Sequence, residues 1–130
     1  MTAISADIIP FAKTIGVEII EATPERVVAK LLVRPELCTT GGTLHGGAVM
    51  ALADSAGAIG AFLALPAGAR GTTTLESKTN CLGAAIAGTT VTAEATPAHN
   101  GRTTSVWQTK ITSEDGKTVA LITQTQLVLS

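Results

Sequence analysis

The sequence predicts an α+β domain in which a curved antiparallel β-sheet wraps around one long central α-helix. Two observations carry this. Residues 45–65 are an almost unbroken run of apolar and small side chains, the signature of a helix buried on nearly all sides. From Thr72 onward the chain is rich in Thr and Val, with period-two stretches and glycine-bearing turns, the signature of antiparallel strands. At 130 residues the chain is one domain's worth, read as 1–130. Hydrophobic residues at 45% against charged residues at 15% exclude disorder.

Taken in order, residues 5–14 read as a short helix, with Ser5 as N-cap, Ile8, Ile9, Phe11 and Ala12 as its apolar face and Gly16 as its stop. Residues 17–22 read as a strand, Thr23-Pro24 as a turn and 25–33 as a second strand. In the second strand Val27, Ala29 and Leu31 alternate with Val28, Lys30 and Leu32. Residues 34–44 are a loop marked by Pro35 and Gly41-Gly42, and 66–71 a second loop after the central helix. Residues 72–81, 89–96, 102–112 and 117–129 form a strand meander. Gly83 and Gly88, then Pro97 and Asn100-Gly101, then Asp115-Gly116 separate its members. In the last strand Val119, Leu121, Thr123, Thr125 and Leu127 share one phase.

Composition excludes several function classes. A net charge of −1 points to neither nucleic acid nor an anionic membrane. Aromatics at 2% (Phe11, Phe62 and Trp107) offer no base-stacking platform. Cys38 and Cys81 make neither a disulfide framework nor a zinc site, so no metal is expected. No secretory signal pattern opens at Met1, and a reducing cytoplasm is the expected compartment. So few charged groups cover a monomer's surface poorly, and a homo-oligomer is expected.

By length the central run matches a membrane span. Asp54 near its centre is expensive in lipid, so a core helix is the expectation and no membrane partner. Asp54 then needs a reason, since an unpaired buried carboxylate is costly. Either it reaches the surface at a seam, or it is a catalytic carboxylate in a cleft. His45-Gly46-Gly47 at the helix start favours the cleft. Two glycines are poor helix formers there, but their backbone N–H groups and the helix dipole favour negative charge. A developing acyl oxyanion is one such charge. Gly46 and Asp54 are eight residues apart, about 12 Å along one helix, so one helix cannot readily serve one carbonyl with both. Two antiparallel helices of a two-fold dimer can, with Gly46 of one copy facing Asp54 of the other and two sites per dimer.

Three stretches carry a family resemblance. They are His45-Gly46-Gly47 with the helix acid Asp54; Thr74-Leu-Glu-Ser-Lys-Thr-Asn80-Cys-Leu82; and Gly101-Arg-Thr-Thr-Ser-Val-Trp-Gln108. With the strand after Gly116 they cover about 17–129. They resemble the hotdog-fold acyl-CoA thioesterases, in particular the PaaI-type group of phenylacetic acid degradation. The resemblance implies the hotdog fold, homodimers and often homotetramers, and hydrolysis of acyl-CoA thioesters without metal or cofactor. It implies that Asp54 activates water or attacks the thioester carbonyl. The Gly46 N–H would hold the carbonyl oxygen, with His45 beside it and Gly47 at the substrate. Thr74 would lie near the attacking water. Asn80, Gly101, Arg102 and Thr103 would contact substrate, the last three near the CoA nucleotide and phosphates, where an Arg fork suits phosphate. Thr39 stands where many members carry Asn or Gln, and Ala58 where some carry Ser or Thr.

Two other functions share these residues. A non-catalytic acyl-CoA-binding hotdog domain uses the same cleft but has little use for an acid facing a thioester. A hydratase pairs a His with the acid, whereas the spacing of His45 follows the thioesterase pattern. The acyl group reads as aryl or medium-chain, for which Gly57, Gly60 and Ala61 leave room. Cys38 and Cys81 read as inert, His99 as a loop residue, Trp107 as packing, and Glu76 with Lys78 as one exposed strand face.

Overall fold

The structure, a computed structural model, describes residues 4–130. After a 3-10 turn at Ala6–Ile8, the elements run α1 (Pro10–Ile15), β1 (Glu18–Thr23), β2 (Arg26–Leu32), a second 3-10 turn at Pro35–Leu37, α2 (Gly46–Leu63), β3 (Gly71–Cys81), β4 (Thr90–Asn100), β5 (Thr104–Thr112) and β6 (Thr118–Leu129). All six strands form one antiparallel sheet in the order β1-β2-β4-β5-β6-β3. The sheet packs its concave face on α2, which is the hotdog arrangement. In β2, Val27, Ala29 and Leu31 face the helix and are buried, as the alternation requires. On the outer face the exposed Arg26 bonds Glu21 at 2.6 Å and Glu94 at 2.5 Å, tying β1, β2 and β4 at little gain in stability.

Four local expectations change. The first helix is broken at Pro10, because a residue before proline is pushed to extended backbone, and Ile9 adopts φ −111°, ψ 102°. Ser5 caps only the 3-10 turn, Gly16 ends α1 at φ 93°, and Ile8 and Phe11 are exposed rather than packed. Pro97 does not end β4. Pairing with β2 stops at Ala95, so Pro97 lies where β4 has one neighbour and needs no second ladder bond. The meander holds for β4-β5-β6, but β3 pairs with β6 and becomes an edge. In β6 the helix-facing phase is Ala120, Ile122, Gln124 and Gln126, while Leu121 of the expected phase is 45% exposed.

Half of α2 is buried. Its open stripe runs through Gly47, Met50, Asp54, Ala58 and Phe62, the spacing of one helical face. The buried side is made of small residues because the sheet's largest side chains lie against it. A Cβ on Gly60 would stand 2.4 Å from the ring of the fully buried Trp107, and one on Gly57 2.2 Å from Gln124. Those glycines therefore leave no room for an acyl group; Trp107 and Gln124 already fill it. Gly60→Ala is expected to lower stability. The helix-propensity gain of about 1 kcal/mol is outweighed by overpacking of about 1–3 kcal/mol against a ring that cannot yield. Thermal unfolding reads this directly; a melting temperature at or above wild type would contradict the packing argument.

Candidate active site

The start of α2 is built by His45. Its backbone is extended (φ −64°, ψ 139°) and its Nδ1 accepts from the Gly47 N–H at 2.7 Å, an N-cap made by imidazole. The ring lies over Gly47, where a Cβ would stand 2.9 Å from Nδ1. Of the two N–H groups the glycines were expected to present, the cap takes one. Gly46 is the first helical residue, and among the described residues nothing accepts from its N–H. A Cβ there would meet only the Cys81 sulfur at 4.0 Å.

Two turns along the open stripe, Asp54 is half-buried and hydrogen-bonded from the sheet. Its Oδ1 accepts from the Thr74 hydroxyl at 2.7 Å and from Gln124 Nε2 at 3.0 Å. Gln126 Nε2 donates to Thr74 Oγ1 at 2.7 Å, and the Thr72 hydroxyl donates to Gln126 Oε1 at 3.0 Å. A bulge helps: Thr74 pairs with Gln126 but Glu76 with Thr125, leaving Leu75 as the extra residue. Thr74 and Ser77, three apart, therefore both face the helix, which a regular strand forbids. Together with Ile9, Phe11, Gly47, Met50, Ala51, Asp54 and Ser55 they line a cleft of about 420 Å³. Asp54 is the only titratable side chain in that lining. A smaller apolar hollow of about 270 Å³, between Ile8, Ile9, Ala58, Ile59 and Phe62, adjoins it through Ile9. Among the described residues no three His, Cys, Asp or Glu side chains gather as metal ligands.

Residues 41–120 match the family model of the thioesterase superfamily. The chain belongs to that superfamily. This hotdog thioesterase is a thioester hydrolase by family. It is 36% identical over 109 residues to the 1,4-dihydroxy-2-naphthoyl-CoA hydrolase of Listeria monocytogenes, covering 84% of this chain and 87% of that one. The PaaI protein of the E. coli phenylacetic acid degradation operon has a similar structure, with a TM-score of 0.84 at 26% identity, covering 93% of this chain and 85% of its own. A Streptococcus pneumoniae thioesterase protein solved with coenzyme A gives a TM-score of 0.81 at 28% identity, covering 88% and 87%.

The thioesterase brings only part of the sequence-predicted set together within one protomer. Asp54 and Thr74 meet, and Gly47 lines their cleft. His45 is a cap rather than a free acid or base. Thr39 sits in the exposed turn before the helix, its N–H bonded to the Thr43 carbonyl, and does not line the cleft. Asn80 lies on the outer face of β3, accepts from Lys78 Nζ at 3.2 Å and is turned away from Asp54. Gly101, Arg102 and Thr103 form the β4–β5 turn, two strands away from β3 but at the same end of the sheet, where Ser105 pairs with Gln126 and Gln126 with Thr74. Arg102 is exposed there and pairs with no carboxylate among the described residues. Ser77, Gln124, Gln126 and Thr72 went unnoticed in the sequence. The signal for the glutamines was present: two long amides in alternate positions of an otherwise apolar strand face.

Proposed function

We propose that this thioesterase hydrolyses acyl-CoA esters with aryl or short- to medium-chain acyl groups, by Asp54-assisted attack of water, at a site completed by a second copy of the chain. The observation that carries the reading is Asp54 itself, a carboxylate on the open stripe of an apolar helix, bonded through one oxygen and lining a cleft with apolar walls. Water attacks the thioester carbon as its proton passes to the free oxygen of Asp54. The carbonyl oxygen becomes an oxyanion, and a backbone N–H at a helix start stabilises it. When the C–S bond breaks, the thiolate of CoA leaves and the acyl group departs as free acid. A thiolate is a good leaving group near neutral pH, so the acid and the oxyanion donor are the groups this reaction needs.

The free Gly46 N–H is about 12 Å along α2 from Asp54, so the donor to one site comes from the partner's helix. Edge strand β3, eleven residues long with one unpaired side, supports such a pairing of copies. So do Phe11, Met50 and Phe62, which are exposed along the same side. Thr39 and Gly46 lie on one loop-to-helix junction and approach the partner's acid together. Arg102, with Gly101 and Thr103, suits the phosphates of CoA at the nearby rim. The acyl group fits the apolar hollow between Ile8, Ala58 and Phe62, which replaces the space wrongly expected at Gly57 and Gly60.

Thiol release from a panel of aryl-CoA and straight-chain acyl-CoA esters tests the reading. The expected result is turnover that is fastest for aryl and short or medium chains and falls as chains outgrow the hollow. Saturable binding of CoA esters with no turnover on any of them would instead mark a non-catalytic binding domain.

A further inference from the structure

Gln124 and Gln126 are both completely buried, on the sheet face that packs against α2. Their hydrogen bonds run in one sense only. A carboxylate can only accept, so the single proton of the Thr74 hydroxyl goes to Asp54 Oδ1. Thr74 Oγ1 must then accept from Gln126, which presents Nε2, and the Oε1 of Gln126 turns to the Thr72 hydroxyl. Gln124 likewise must offer Nε2 to Asp54, which leaves its Oε1 buried with no partner. A buried carbonyl without a donor is destabilising. Gly57 makes the arrangement possible, since a Cβ there would stand 2.2 Å from that same Oε1. Both donors to the acid reach Oδ1, and among the described residues none reaches Oδ2.

We propose that Gln124 and Gln126 are positioning residues that pin Oδ1 of Asp54, directly and through Thr74, and so reserve Oδ2 for the reacting water. This rests on Asp54 being the acid of the reaction. The unpaired Oε1 of Gln124 opposes stability, while the other end of the same amide donates to the carboxylate. Sites built this way lose rate when the supporting donor goes, while the substrate's own contacts are untouched.

The test compares Gln124→Met, Gln126→Met, Gln124→Glu and Asp54→Asn with wild type, reading kcat, KM, melting temperature and the pH profile of kcat. Gln124→Met removes the donor and the orphaned carbonyl together at similar length. It is expected to lower kcat by about 10- to 100-fold, leave KM within about twofold, and keep or raise the melting temperature. Gln126→Met is expected to lower kcat in the same way through Thr74. Gln124→Glu faces Asp54 with a second carboxylate, and like charges resist ionising together, so the acidic limb of kcat moves to higher pH. A packing role predicts the opposite pattern: a lower melting temperature, with wild-type kcat in the folded fraction of both Gln→Met variants. Should Gln124→Met fail to fold, Gln126→Met, which removes the donor to Thr74 without touching Asp54, decides by the same comparison of kcat with melting temperature. If Asp54→Asn is inactive while the Gln124 variants match wild type, the positioning proposal falls and the acid stands. If Asp54→Asn stays active, or wild type turns over no thioester, the reading of Asp54 falls and takes the proposal with it.

Discussion

Asp54→Asn is expected to slow thioester hydrolysis by about 100-fold or more, the range of a lost general base, with the fold intact. The substitution is close to isosteric. The carbonyl of Asn can take the place of Oδ1 and accept from Thr74 and Gln124, which donate at 2.7 and 3.0 Å. Its NH2 then occupies the position of Oδ2, where it can neither take a proton from water nor attack a carbonyl. Partly open to the cleft on the exposed stripe of α2, the new amide can reach solvent for its remaining hydrogen bonds. The loss therefore falls on kcat rather than on stability. Thiol release at saturating substrate, with thermal unfolding of both proteins, checks it. Activity within a few-fold of wild type at an unchanged melting temperature would remove Asp54 from the chemistry.

Gly46→Pro is expected to cost about 10²- to 10³-fold in kcat, the scale of a lost oxyanion donor. The fold should accept it, for reasons the structure makes specific. Gly46 is the first residue of α2, the one helical position where proline is favoured. The preceding His45 at φ −64°, ψ 139° already has the extended backbone a following proline demands. The His45 cap bonds Gly47, not Gly46, and so survives. Only the N–H is removed. Gly46→Ala keeps that N–H and finds open space, with one sulfur at 4.0 Å, so it should stay near wild-type rate. Because the proposed site joins Gly46 of one copy to Asp54 of another, the two inactive variants should complement. Unfolded and refolded as an equal mixture, Gly46→Pro and Asp54→Asn chains form mixed dimers in half of all cases, each with one intact site. Activity should return to roughly a quarter of wild type. Recovery of none, with mixed dimers present by native mass spectrometry, would place acid and donor within one protomer.

Much of this architecture is written locally. A long run of small apolar residues after a His-Gly-Gly start, with an acid near its centre, reads as a packed helix. Alternation in β2, together with Asp115-Gly116 and Asn100-Gly101, marks the strands and two of their turns. Asp54 stands out in the sequence as an acid in an apolar helix, whereas Thr74, one of three consecutive threonines, is marked only by the family resemblance, and its bond to Asp54 is visible only in the fold. What failed was whatever depends on partners distant in sequence. The phase of β6 is one case. Threonines lie on both sides of that strand, and composition favours the face with Leu121 and Leu127. Which face packs on α2 is settled by the registers with β5 and β3.

The glycines of α2 show the same division. As letters they announce space and leave open what fills it. In the fold Gly60 receives the Trp107 ring and Gly57 the Gln124 amide, from strands 47 and 67 residues further along the chain. Thr74 and Ser77 share a face only because Leu75 bulges, and among the described residues Asp54 has one bonded and one free oxygen because β3 supplies Thr74 and β6 supplies Gln124, with Gln126 behind Thr74. By itself the sequence determined most of the elements, the family and Asp54 as the candidate acid, since these follow from local periodicity, turn chemistry and motif spacing. Only the tertiary structure decided strand order, the buried phase of β6 and the orientation of the carboxylate. Those are outcomes of packing between distant segments, where the burial of whole faces outweighs any local preference.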